Sequence, residues 1–216
     1  MTLVCRKYRV EHVLSCPKGG FPSLRHNEIR DITANLLSEV CNNVCIEPHL
    51  QPISGEHLPG TTANITEGAR LDIAANGLWG GRFERTYFDV RVFNPHAASN
   101  RQTNPYRKHE MVKKRAYESR IQEIEHSSFT PLVMSSTGGL GPASTSTYKR
   151  LATLLAAKWD QPYTFTMNWL RCRLSFSLLR SSIQAIRGAR STAGKASKAT
   201  SLPIDLVISE SLITDH

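Results

Sequence analysis

GARLDIAANGL (residues 68–78) and RTYFDVRVFNP (residues 85–95) decide how this chain reads. Each is rich in apolar or β-branched residues over a short span, which predicts a β-strand, and each carries an aspartate, Asp72 or Asp89. Strand interiors seldom hold carboxylates, because Asp has poor β-propensity and burying its charge is costly. In FDVRV the two-residue alternation puts Asp89 and Arg91 on one face and Phe88, Val90 and Val92 on the other. An acid on one strand, then an acid and a cation on the next, is a workable arrangement for a divalent metal, since hard cations take one or two carboxylates plus waters and phosphate oxygens. A plainer reading stands beside it: Asp72 opens a turn, and Asp89 pairs with Arg91 or Arg85 at a solvated sheet edge.

Working outward, EIRDITANLLSEVCNN has helical spacing at Ile29, Ile32, Leu36, Leu37 and Val40, with Asn27 as its expected cap and Glu28 and Asp31 suited to the positive end of its dipole. VCIEPHL reads as a strand stopped by Pro48, and NGLWGG as the turn between the two opening strands. YRKHEMVKKRAYESRIQEIEH predicts a long charged helix, FTPLVMSS a strand, STYKRLATLLAAKW a helix and NWLRCRLSFSLLRSSIQAIRGAR a final helix. The glycine-rich TGGLG between the last strand and the helix after it lacks the Lys-Ser/Thr ending of a phosphate loop and reads as a connecting turn. From residue 27 the order is helix, strand, strand, strand, helix, strand, helix, which predicts a three-layer α/β domain on a mixed sheet. The chain divides into a Cys/His segment (1–26), the α/β domain (27–190) and a low-complexity tail (191–216) expected to be flexible.

Composition narrows the function classes. The chain has 216 residues, 40% of them hydrophobic, and no apolar run near the ~20 residues of a membrane span. The opening MTLVCRKYRVEH meets charge at once, so the expectation is a nuclear or cytoplasmic protein rather than a secreted one. Lys and Arg outnumber Asp and Glu by 27 to 18, for a net charge of +9, which points to a polyanionic partner. Five cysteines argue against a disulfide framework. Cys41, Cys45 and Cys172 read as core filler, whereas Cys5, His12 and Cys16 are thiolate and imidazole donors suited to zinc, one ligand short of a closed site. His26 is the nearest further donor.

The element order, with acids on the second and third strands, resembles the PD-(D/E)XK restriction-endonuclease-like nucleases, whose core runs α-β-β-β-α-β. The resemblance implies this three-layer core with additional C-terminal helices. It assigns the helix acid to Glu28, the second-strand aspartate to Asp72 in Arg70-Leu71-Asp72, and the acid-x-Lys triplet to Asp89-Val90-Arg91. More narrowly, CRKYRVEHVLSC followed by RLD is similar to the endonuclease end of non-LTR retrotransposon and reverse transcriptase polyproteins, which implies a fragment or remnant of a longer protein with a truncated zinc segment.

The implied activity is hydrolysis or nicking of DNA phosphodiesters with Mg²⁺ or Mn²⁺ held by Asp72, Asp89 and Glu28, RNA being a further possible substrate. Arg91 stands where the family has Lys; a guanidinium can steady the phosphate but does not give up its proton, so either a metal-bound hydroxide attacks without a lysine, or Lys108, Lys113 or Lys114 of the following helix fills in, or the fold binds DNA without cutting it. Arg70, Lys108, Lys113, Lys114, Arg171 and Arg173 are the expected phosphate-backbone contacts. Each residue also has a plainer account: Glu28 favouring its helix start, Arg91 neutralising Asp89, the lysines forming a solvated helix face. The alternative function is a catalytically inactive nucleic-acid-binding domain of the same fold.

Overall fold

The computed structural model describes residues 10–16, 19–52, 69–100 and 104–188. Its elements are α1 (Val10–Val13), α2 (Phe21–Ser38), β1 (Asn42–Ile46), β2 (Ile73–Asn76), β3 (Arg85–Phe93), α3 (Pro105–Glu123), β4 (Ser128–Ser135), α4 (Pro142–Trp159) and α5 (Tyr163–Gly188). The four strands form one mixed sheet in the order β1-β2-β3-β4, so the expectation of a mixed α/β domain on a single sheet holds. β1, β2 and β3 are successively antiparallel, and Gly77, at φ 94°, supplies the left-handed backbone that the tight return from β2 demands. β4 runs parallel to β3 from Thr86↔Ser128 to Phe93↔Ser135, a pairing that requires the crossover α3 provides. Pro131 sits opposite Asp89 in β4; it is tolerated because β4 is an edge strand and need not donate on both sides.

Strand alternation builds two apolar clusters. Ile73, Ala75, Phe88, Val90, Leu132 and Met134 pack with Ile29 and Leu37 of α2, Leu151 and Leu155 of α4, and Leu170, Leu174 and Leu178 of α5. On the other parity, Leu71, Ala74, Tyr87 and Phe129 pack with Ile121 of α3. The larger cluster encloses Tyr148, which is fully buried with its hydroxyl 2.8 Å from Thr33 Oγ1.

One boundary differs in a way that matters for the site. α2 begins at Phe21, after Gly20 at φ 72°, and not at Glu28 behind an Asn27 cap. Pro22 is accepted at this helix start because a proline in the first turn forfeits only an N–H that has no helical partner. Glu28 therefore lies roughly two turns into the helix, outside the first-turn reach of the dipole. The cysteine expectation also needs correction: Cys41 is half-buried against the core, but Cys45 and Cys172 are exposed. Among the described residues no helix is long and apolar enough to cross a membrane.

Candidate functional site

Asp72 immediately precedes β2, and its backbone N–H donates to Phe88 O at 3.2 Å. That pairing lays Asp72 beside the middle of β3, where its Oδ2 accepts from the Val90 backbone N–H at 2.6 Å. Asp89 is thereby its direct neighbour, and it is buried, at 6% exposure. Two carboxylates in one dry place repel, and the structure supplies one partner for each. His26, from the start of α2, puts Nε2 3.0 Å from Asp72 Oδ1. Lys113, from the middle of α3, puts Nζ 2.5 Å from Asp89 Oδ2.

The two aspartates end with different acidities. Burial pushes Asp72 up, but the hydrogen bond and charge of His26, the Val90 N–H and a hydrogen bond with Asp89 outweigh it and leave Asp72 below the usual carboxylate value. Burial raises Asp89 most; Lys113 opposes this, the Asp72 charge adds to it, and the net value is about 7. Near neutrality Asp72 is ionised and Asp89 is close to half protonated, so the pair gives up its last proton in that range. Tyr117 of α3 completes the wall: its ring centroid lies 5.7 Å from Lys113 Nζ, and its hydroxyl is pushed up first by burial and then by the Asp89 charge.

The structure brings together Asp72, Asp89 and Lys113 and leaves other expected residues apart. The Glu28 carboxylate accepts from Arg180 and from Ser181 Oγ at 2.7 Å, both on α5. His26 and Glu28 are two residues apart on α2, hence about 200° apart around it, so the helix that sends His26 to Asp72 turns Glu28 to α5. Arg91 is exposed and does not neutralise Asp89; that partner is Lys113. Its charge acts instead on His109, whose pKa is lowered first by burial and then by Arg91. Arg85 is not the partner either, since it stacks on Tyr87 at 5.2 Å.

Of the expected phosphate contacts, Arg70 lies 3.5 Å from Glu47 and Lys114 pairs with Glu118 at 3.3 Å. Arg173 covers the Trp169 ring at 5.2 Å, and Lys108 and Arg171 are exposed. Cys5 lies outside the described residues, while His12 is exposed and Cys16 half-buried. The segment carrying them is tied down through Leu14 O, which accepts from Arg25 at 3.1 Å, and Ser15, which accepts from Asn94 at 2.9 Å. Among the described residues no group of three or more His, Cys, Asp or Glu side chains is arranged to hold a metal ion.

Sequence reasoning passed over His26 as a site residue, naming it only as a spare zinc donor. Its signal was hidden because the helix was started too late, leaving His26 in a presumed loop. No protein-family model matches the chain, and no curated protein matches it.

Proposed function

We infer that this domain is a nuclease-like phosphodiester hydrolase whose working group is Asp72, Asp89 and Lys113, with DNA as substrate. The carrying observation is that two adjacent carboxylates, one of them buried and held at about 7, are met by an amine from the crossover helix. The topology supports a restriction-endonuclease-like arrangement: an antiparallel β1-β2-β3 meander, then a helix, then β4 parallel to β3.

The donor set fits a divalent cation. Asp72 and Asp89 offer hard oxygens side by side, and Asp89, raised first by burial and then by the Asp72 charge, is a carboxyl that a bound cation would ionise. Those two residues would hold Mg²⁺ or Mn²⁺, which when bound neutralises phosphoryl oxygens and acidifies water. Lys113 supplies what Arg91 cannot: an ammonium able to transfer a proton and to steady the charge on the phosphate under attack. His26 fixes the Asp72 carboxylate, and the Val90 N–H holds its second oxygen.

A second reading, an inactive domain that binds nucleic acid through its +9 charge, is favoured by one observation. Glu28, the third acid of the expected set, is held by Arg180 and Ser181. Plasmid and single-stranded DNA incubated with Mg²⁺ or Mn²⁺ decide between the two. The hydrolase reading expects cleavage that Asp72→Asn and Asp89→Asn each abolish while retention on DNA at low salt persists, because affinity comes from Lys and Arg neutralising phosphates. Binding without cleavage in either metal leaves the inactive reading, and neither binding nor cleavage removes both.

A further inference from the structure

α5 is apolar on two opposite sides. Met167, Leu170, Leu174, Leu178 and Ala185 face the core. Directly opposite, Phe165, Phe176, Leu179 and Ile183 are exposed by 56%, 68%, 54% and 45%. With exposed Cys172, half-buried Ile186 and half-buried Trp169, which at the edge of this face also packs edge-on against Trp159 of α4 at 5.2 Å, they recur at alternating steps of four and three residues through the helix. That is a strict 3.5-residue repeat over three heptads, with Trp169, Phe176 and Ile183 at a positions and Phe165, Cys172, Leu179 and Ile186 at d positions. A single helix face that only had to tolerate water would not keep this period, whereas a second helix wound against it requires it.

We propose that α5 is a dimerisation helix, pairing in parallel with α5 of a second copy of this chain through this seam. Three observations select a second copy. First, the period fits a partner with the same period, which the chain itself supplies.

Second, the flanks are compatible with self-pairing. The e positions carry Arg173, Arg180 and Arg187, and the g positions Asn168, Ser175 and Ser182. In a parallel pair each e arginine meets a polar, uncharged g residue of the other copy; an antiparallel pair would set arginine against arginine. Arg180 is already paired with Glu28, while Arg173 keeps its charge over the Trp169 ring, where it can face the polar g residue of the other copy.

Third, the area is sufficient. At about 150–250 Å² for a large buried side chain, the four exposed residues offer roughly 400 Å² per copy. The e and g side chains raise the buried area toward the ~800 Å² per partner of a standard interface. A patch of this size equals the largest on an ordinary monomer, a class of patch that often marks an interaction site. The seam lies on α5 and does not depend on the hydrolase reading.

Sedimentation of the full chain tests this, with circular dichroism as the folding control. The expected species has twice the 24.1 kDa chain mass. Phe176→Lys with Ile183→Lys, both outward-facing, should return it to the monomer mass without loss of helicity, whereas Phe83→Ser, an exposed aromatic off the seam, should leave the dimer intact. Mild oxidation should cross-link the dimer through Cys172, and Cys172→Ser should remove that cross-link. A monomeric full chain overturns the proposal, whether residues 191–216 or another protein covers the seam, and so does a dimer indifferent to the double lysine variant. A seam-dependent dimer that Cys172 never cross-links overturns the parallel arrangement.

Discussion

Lys113 of α3 reaches across to Asp89 of β3 and places its ammonium 2.5 Å from the carboxylate, although Arg91 stands two residues from Asp89 on the same strand parity. Asp89 is buried beneath Lys113 of α3, while Arg91, farther along β3, is exposed to solvent. The cation that serves Asp89 is thus set by helix packing and not by nearness in the chain.

This relationship predicts unequal effects on cleavage. Lys113→Ala should lower the cleavage rate by about 10²-fold or more, the scale of a positioned proton-transfer or charge-stabilising group. Arg91→Ala should change it by less than about threefold, the effect of one exposed phosphate-facing charge at moderate salt. Single-turnover cleavage under saturating Mn²⁺ makes the comparison, and equal losses in the two variants would refute it.

Asp89 predicts a pH-dependent stability. Its carboxyl rises from 3.8 unfolded to about 7 folded. Its contribution is therefore fully present below about pH 4, declines as the pH climbs, and is lost once the pH passes about 7. Asp89→Asn, which removes the titration, should raise the metal-free melting temperature at pH 8 by roughly 10 °C, since a shift of about 3 pK units is worth about 4 kcal/mol and a domain this size moves a few degrees per kcal/mol, and by nearly nothing at pH 4. Thermal melts in chelator across that range give the answer; a pH-independent difference would contradict it.

Glu28 is predicted to be a clamp between α2 and α5. Glu28→Gln weakens the contacts with Arg180 and Ser181 and should cost about 1 kcal/mol of unfolding free energy, a modest figure because Arg180 is largely solvated. Cleavage per folded molecule should not change. Urea titration reads the first effect and a cleavage assay the second, and loss of cleavage with unchanged stability would return Glu28 to the catalytic set.

Tyr148 is predicted to limit alkaline stability. Burial pushes its hydroxyl up to about 12, with Thr33 opposing the shift. The contribution is full below about pH 10 and is lost as the pH rises from there toward 12. Tyr148→Phe should cost about 1 kcal/mol at pH 7, the scale of one net hydrogen bond, and should flatten the fall in stability between pH 9.5 and 11. Urea midpoints at those pH values test both parts.

The sequence alone determined the sheet and its acids. Two-residue alternation in RTYFDVRVF and the apolar spacing of the helices fixed the element order, because those periods are local properties of strand and helix. Asp89 falls on β3 as the same periods predict, whereas Asp72 lies one residue before β2 and not on the strand itself. Which cation and which helix residue would join them did not follow. Lys113, Lys108 and Lys114 are equal in composition, and only the azimuth of α3 against β3 and β4 brings Lys113 to Asp89. His26 stands beside Asp72 in place of Glu28 because the packing of Ile29 and Leu37 on the core sets the rotation of α2 over the sheet. The outward seam of α5 was equally hidden: its apolar residues could be counted, but which of its two apolar faces met the core depended on packing against α2 and α4. Local periods are written in the chain, whereas the rotation of one packed element against another is settled by side chains distant in sequence.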